Sequence, residues 1–225
     1  MKNTVSALRI GALSLVGVIA GGCGDNPFGE DAAVPQSRRQ TVNVALVSDQ
    51  PLRFPADRTF NVIDSQRHSR GAGTASAGAS KSGTASCVAD ATRGGSAWAE
   101  FQLGHVLIHT GDRPFDASVT FNVVYDCTFA GDESVQRQSL GLKAFIMDSN
   151  RRVLARVMLA DARDDRLPDR WSGSQSPSFD VTFEPGLAYH LVIAGRVEVT
   201  GSEATGPTAA IQVRSLDIQI TPAPN

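Results

Sequence analysis

The chain has 225 residues, of which 41% are hydrophobic and 20% charged, and its formal net charge is −2. This length suits a single globular domain with its own hydrophobic core. A mildly acidic chain without a basic block argues against nucleic acid and anionic lipid headgroups as partners.

The N-terminal segment has the pattern of a secretory signal. Two basic residues precede an uncharged run, Ile10–Ala20, and then Gly21–Gly22 and Cys23 follow. The run is too short for a permanent transmembrane helix, which needs roughly 20 residues. The last five residues up to Cys23 resemble the lipobox of bacterial lipoproteins, with Ala20 where leucine is usual. The resemblance implies cleavage after Gly22 and a diacylglyceryl, palmitate-type modification of Cys23.

Lipidation would define three regions: a signal peptide over residues 1–22, a lipidated cysteine with a flexible linker over 23–40, and a domain over 41–225. Loss of Lys2 and Arg9 with the signal peptide would change the net charge to −4. The polar linker would span roughly 20–25 Å. The expected location is a cell membrane, lipid-anchored and extracytoplasmic. Gly24, rather than Asp, follows the cysteine, which in lipoproteins of bacteria with two membranes permits transport to the outer membrane.

From residue 41 onward, apolar and polar residues alternate at period two in short runs separated by Gly, Pro, Asp and Ser. Half-buried antiparallel strands show this alternation, whereas parallel strands are continuously apolar. The sequence therefore predicts an all-β domain, an antiparallel and jelly-roll-like β-sandwich. The runs that predict strands are Val42–Val47, Phe60–Val62, Trp98–Leu103, His105–His109, Ala117–Phe129, Leu140–Ile146, Phe179–Phe183, Tyr189–Val199 and Ile211–Ile220.

Two stretches fit more than one structure. Gly71–Ser86 contains almost only Gly, Ala, Ser and Thr. A flexible loop is the favoured interpretation, because such residues bury little apolar area, and the alternative is a strand whose small side chains lie against a crowded face. Arg152–Asp165 has apolar residues at both helical and alternating spacing. The tight-turn sequence Asp148–Asn150 favours a strand for its first half.

The C-terminal half resembles secreted bacterial jelly-roll domains. A strand from Leu140, a turn at Asp148 and a Pro185-Gly186 entry to the Tyr189 strand are similar to bacterial pre-peptidase C-terminal domains and related accessory sandwiches. The resemblance extends roughly from Leu140 to Ile220, and the insertion Asp161–Pro177 departs from it. No functional residue is transferred from that family.

Cys87 and Cys127 are the two cysteines of the domain. Outside the cytoplasm such a pair usually forms a disulfide. A bridge closing about 40 residues would stabilise the fold by roughly 4 kcal/mol. The alternative is two buried free thiols. No Cys/His spacing resembles a zinc site.

His105 and His109 are four residues apart and would share a metal ion on a helix. On the predicted strand they lie on one face but roughly 13 Å apart, which is too far. We therefore expect two solvated or hydrogen-bonded surface histidines. His68 and His190 are isolated from any nucleophile motif.

The densest group of carboxylates is Asp161, Asp164, Asp165 and Asp169. Acidic loops between strands can supply the oxygens that calcium requires. Three interleaved arginines would neutralise this loop by local pairing, so a solvated mixed-charge loop is favoured over a calcium site. No metal and no cofactor are predicted.

Trp171 lies among these charged residues and is, with the four aspartates, a candidate ligand-binding residue. The whole excursion, Asp161–Pro177, is predicted to perform the recognition, because binding residues concentrate on loops set on a rigid scaffold. Trp98 lies between Ala97 and Ala99 in a predicted strand, close to Phe101, and we assign its side chain to the core.

The sequence contains no glycine-flanked serine elbow, no paired histidines on a helix and no Walker loop, which makes an enzyme less expected. The expected function is that of a membrane-anchored lipoprotein whose β-sandwich binds or supports an unidentified partner. The alternative is a carbohydrate-binding or peptidase-associated accessory domain, and the third hypothesis is a hydrolase with a motif-free site. The expected partners are the membrane, through the lipid, and a cell-envelope glycan or protein.

Overall fold

The computed structural model describes residues 42–46, 50–131, 137–163, 170–202, 204 and 206–223. These residues form thirteen strands and, within these ranges, no helix. The strands are β1 Val42–Val44, β2 Leu52–Phe54, β3 Val62–Arg70, β4 Thr74–Ala79, β5 Ala85–Asp90, β6 Gly95–His109, β7 Phe115–Ala130, β8 Arg137–Asp148, β9 Val153–Arg163, β10 Arg170–Gln175, β11 Ser178–Phe183, β12 Ala188–Gly201 and β13 Thr208–Pro222. Among these residues no helix is long and apolar enough to cross a membrane.

The strands form two sheets. In sheet A, β1 and β3 pair with one side of β6, and the order continues through β12 and β8 to β9. In sheet B, β10 and β11 pair with β7, β7 pairs with β13, and β13 pairs with β2 and with β5, which pairs with β4. Every pairing is antiparallel except β1 with β6. The predicted antiparallel β-sandwich is confirmed.

The core lies between the sheets because alternate residues of each long strand face inward. In β7 these are Val119, Phe121, Val123 and Tyr125, all buried as the alternation predicts. Sheet A contributes the inward residues of β6, β8 and β12, which join the same cluster. Each fully buried Leu, Ile or Phe side chain stabilises the fold by roughly 1.5–3 kcal/mol, so the two long sheets hold each other in place.

The favoured interpretation of Gly71–Ser86 as a flexible loop is wrong. Residues Thr74–Ala79 form β4, which pairs in register with β5. The alanines of β4 pack against the core. Ladder hydrogen bonds order this segment, and its short side chains let it lie close to the neighbouring sheet, which is the alternative that the sequence also allowed.

The predicted tight turn joins β8 to β9. The carboxylate of Asp148 accepts hydrogen bonds from the backbone N–H of Asn150 at 2.8 Å and of Arg152 at 3.0 Å. Arg151 takes a left-handed conformation with φ 64°. β9 then continues to Arg163, well beyond the half that was predicted as a strand.

Candidate functional site

The excursion predicted to perform recognition is not one loop. Asp161 lies in β9 of sheet A, and β10 of sheet B begins at Arg170. Asp164, Asp165 and Asp169 lie outside the described residues. Asp161 and Trp171, the described candidates, lie in different sheets.

Trp171 is not on a polar loop, contrary to prediction. It lies in β10 opposite Cys127 of β7, is half-buried and packs against the core. Its neighbours Arg170 and Ser172 point to solvent, so the strand alternates as a half-buried edge strand does. A Cβ at Gly173 would lie only 2.5 Å from the ring of Tyr125, so this inward position must stay small. Trp171 is therefore a partly buried residue of an edge strand, and its ligand-binding role stays a prediction.

The predicted disulfide between Cys87 and Cys127 is also wrong. Both thiols are free and buried. Cys87 pairs with Ile211 on one side of β13, and Cys127 pairs with Ile211 on the other. Two strand spacings separate their Cα atoms by about 10 Å, beyond the roughly 7 Å that a disulfide spans.

His105 and His109 are not surface residues, because both are buried in β6. His109 accepts a hydrogen bond from the Leu46 N–H at 3.4 Å, and its other ring nitrogen lies 2.9 Å from the Arg113 carbonyl oxygen. His105 stacks on Phe54 at 4.1 Å between ring centroids, and its ring nitrogens have no hydrogen-bond partner among the described residues. Within the described ranges, no group of three or more His, Cys, Asp or Glu side chains could hold a metal ion.

Trp98 is not a core residue, contrary to prediction. It is half-buried and points away from the core, since Ala97 and Ala99 on either side of it point inward. The strand register places a set of polar side chains beside it on the outer surface of sheet A. We call this set the Trp98 face, and its members are Asp64 and His68 of β3, Trp98, Glu100 and Gln102 of β6, Lys143 of β8, and Arg196 and Glu198 of β12.

Arg196 is at the centre of the Trp98 face. Its guanidinium lies 3.5 Å from Glu100 and 3.5 Å from Glu198. The same group lies 5.2 Å from the centroid of the Trp98 ring, within cation–π range. His68 stacks more loosely against Trp98, at 6.3 Å between centroids. These contacts fix the orientation of the tryptophan and of both glutamates.

Burial and neighbouring charges shift the ionisation of two members of this face. Burial raises the pKa of the Glu100 carboxyl above its ordinary range, Arg196 opposes this, and Asp64 raises the pKa further. Burial lowers the pKa of Lys143, as does Arg156, whereas Glu100 acts in the opposite direction. The Trp98 face is therefore a partly desolvated electrostatic cluster and differs from a freely solvated mixed-charge surface.

The Trp98 face lies far from the point where the described chain begins. Val42 pairs with Leu107 in β6, nine residues from Trp98. At about 3.3 Å per residue the two points are about 30 Å apart along the strand. Across β3, β6, β12 and β8 the face is about 14 Å wide, and from Trp98 to Gln102 about 13 Å long. It is broad enough to contact a ligand at several points.

The sequence contained a signal for this face. One side of β6 carries Trp98, Glu100 and Gln102, which occupy alternate positions of the strand. The opposite side carries Ala97, Phe101 and Leu103. A strand that buries Phe101 and Leu103 must turn Trp98 outward together with its polar partners. The assignment of Trp98 to the core followed its apolar neighbours in the strand and did not separate the two sides of that strand.

Comparisons with known proteins add little. No family model matches the chain, and no curated protein matches it. Among solved structures the chain is similar to a xylan-binding CBM22-1 domain of Paenibacillus barcinonensis Xyn10C, with 11% identity, TM-score 0.29, and coverage of 70% of this chain and 87% of that one. It is also similar to tailspike protein 4 of bacteriophage CBA120, with 13% identity, TM-score 0.27, and coverage of 69% and 19%. A third is the arabinose-bound MgGH51 α-L-arabinofuranosidase, with 14% identity, TM-score 0.23, and coverage of 68% and 23%. Likeness at these TM-scores carries no argument about function.

Proposed function

We propose that this protein is a lipid-anchored, extracytoplasmic binding module that holds a glycan on its Trp98 face. The observation that carries the proposal is a half-exposed tryptophan on a sheet surface, beside an arginine fixed between two glutamates. Binding sites commonly combine an apolar aromatic surface with a few oriented polar groups.

The chemistry of the Trp98 face suits a ligand rich in hydroxyl groups. Glu100 and Glu198 offer carboxylate oxygens as acceptors, and Gln102 offers both a donor and an acceptor. Trp98 supplies a planar apolar surface for the C–H side of a sugar ring. His68 is exposed and only loosely stacked, so a ligand can displace it at small cost.

The anchor follows from the resemblance of the N-terminus to a lipobox, and Cys23 lies outside the described residues. Two or more acyl chains would hold the protein firmly, since each buried methylene contributes about 0.8 kcal/mol. A linker over residues 23–40 would join the domain at Val42, about 30 Å along β6 from Trp98. Attachment at that distance would leave the Trp98 face accessible to an envelope or extracellular glycan.

A glycan and peptidoglycan binding screen tests the proposal, using the mature chain with Cys23→Ser so that it is soluble. Trp98→Ala should weaken binding at least tenfold, which corresponds to about 1.4 kcal/mol. Val124→Ala is the matched control, because Val124 is a 37% exposed apolar residue outside this face, on β7 of sheet B. Equal binding by wild type and Trp98→Ala would refute the assignment of the site.

A further inference from the structure

The Trp98 face carries an excess of negative charge. Its charged members are three carboxylates, Asp64, Glu100 and Glu198, and two cations, Lys143 and Arg196, and His68 is a further ionisable member. Glu198 of β12 lies directly opposite Trp98, Glu100 lies two residues farther along β6, and Asp64 of β3 lies opposite Gln102, about 13 Å along the sheet from Trp98. A ligand several sugar rings long that lies on the tryptophan can therefore reach all three carboxylates.

Both cations already have charged or aromatic partners in the protein, although the buried Nε atom of Arg196 has no hydrogen-bond partner among the described residues. Arg196 contacts Glu100, Glu198 and the ring of Trp98. The ammonium of Lys143 lies 5.6 Å from the centroid of the Phe145 ring, and it interacts favourably with Glu100. An anionic ligand would have to compete with Glu100 and Glu198 for the guanidinium, which makes acidic glycans poor ligands.

Asp64 is in the opposite situation. Its Oδ2 atom is buried, and it accepts no hydrogen bond from the residues that the structure describes. A buried acceptor without a donor costs roughly 1–3 kcal/mol, more when it is charged, and a donor brought by a ligand recovers that cost. Asp64 is near enough to Glu100 to raise the pKa of its carboxyl, so the two carboxylates form one negative region, which Arg196 and Lys143 oppose on the Glu100 side.

We infer that the glycan bound by the Trp98 face carries a free amine, and that its ammonium group lies against Asp64 and Glu100. This inference rests on the proposed function and specifies the ligand class of the same site. The ammonium donates to the orphaned oxygen of Asp64 and neutralises the charge shared with Glu100. Stacking on Trp98 is common to all sugars, so Asp64 and Glu100 would set the preference for an amino sugar.

The test compares three probes with the Cys23→Ser mature chain: a glucosamine tetramer, its fully N-acetylated counterpart and an oligogalacturonate. At mildly acidic pH and low salt, the glucosamine tetramer should bind about tenfold more tightly than the acetylated one, a difference of about 1.4 kcal/mol. The preference should shrink as salt is raised, because partly exposed charges are screened. The oligogalacturonate should bind most weakly.

Two substitutions on β3 test which residues cause the preference for the glucosamine tetramer. Asp64→Asn keeps the shape of the side chain and should remove most of the tenfold preference, while binding of the acetylated tetramer changes less than about twofold. Gln66→Glu adds a carboxylate at an exposed position opposite Glu100 and should increase the preference. Asp180→Asn, on an exposed position of β11 in sheet B, is the control and should change neither affinity.

The outcomes separate the two proposals. If none of the glycans in the screen binds, the proposed function is refuted. If the two tetramers bind equally, or if Asp64→Asn leaves the preference intact, the amino-sugar inference alone is refuted. Tighter binding of the oligogalacturonate would likewise overturn it.

Discussion

Acidification should destabilise this protein through one buried histidine. His105 is fully buried in β6 and stacks on Phe54, and its ring nitrogens have no hydrogen-bond partner among the described residues. Burial and, to a smaller extent, the charge of Arg58 lower the pKa of His105 from its ordinary 6.5 to about 4, and the backbone of Thr59 has a smaller opposite effect. The His105 imidazole is therefore harder to protonate in the folded protein than in the unfolded chain.

The sign and size of the effect follow from linkage. Because the pKa is lower in the folded state, the stabilisation is complete above pH 6.5 and is lost as the pH falls towards 4. At 1.36 kcal/mol per pKa unit, the full loss is about 3 kcal/mol, and most of it is reached at pH 4. Against a typical unfolding free energy of about 5–15 kcal/mol, this is a large fraction.

Urea denaturation from pH 7.5 to pH 4 measures the effect, with His105→Leu as the variant that cannot titrate. The difference in unfolding free energy between wild type and variant should change by about 3 kcal/mol across this range, since other titrating groups cancel. Arg58→Gln should raise the pKa of His105 and reduce the loss. A difference that stays constant with pH would refute the argument that His105 is buried and neutral.

Three further predictions concern other parts of the chain. Cys23→Ser should move the protein from the membrane fraction to the soluble fraction, and unchanged detergent partitioning of the variant would contradict lipidation. Thiol titration without reductant should find Cys87 and Cys127 unreactive in the folded domain and both reactive in denaturant, because burial raises the pKa of each thiol, whereas a linked peptide pair in mass spectrometry would contradict the strand register. Gly173→Ala should lower the unfolding free energy by about 1–3 kcal/mol in thermal melts, because its Cβ would clash with the Tyr125 ring, and an unchanged melt would show that the ring moves aside.

The sequence determined the fold class because one face of almost every long strand is buried. Side chains alternate across a strand, so burial of one face leaves a period-two pattern in runs such as Val119–Tyr125. The local sequence also predicted the turn at Asp148, whose carboxylate accepts a hydrogen bond from the backbone N–H of Asn150. Both features depend on residues close together in the chain.

The tertiary structure decided which residues meet across strands that are distant in the chain. The small side chains of Thr74–Ala79 give no hydrophobic pattern, and only the ladder with β5 makes this segment a strand. Cys87 and Cys127 lie on either side of Ile211, a position set by the register of three strands and by no local spacing. The Trp98 face likewise gathers side chains from β3, β6, β8 and β12. Local patterns record which side of a strand is buried, whereas the choice of neighbouring strand depends on the free energy of the whole packed sandwich, which no single segment encodes.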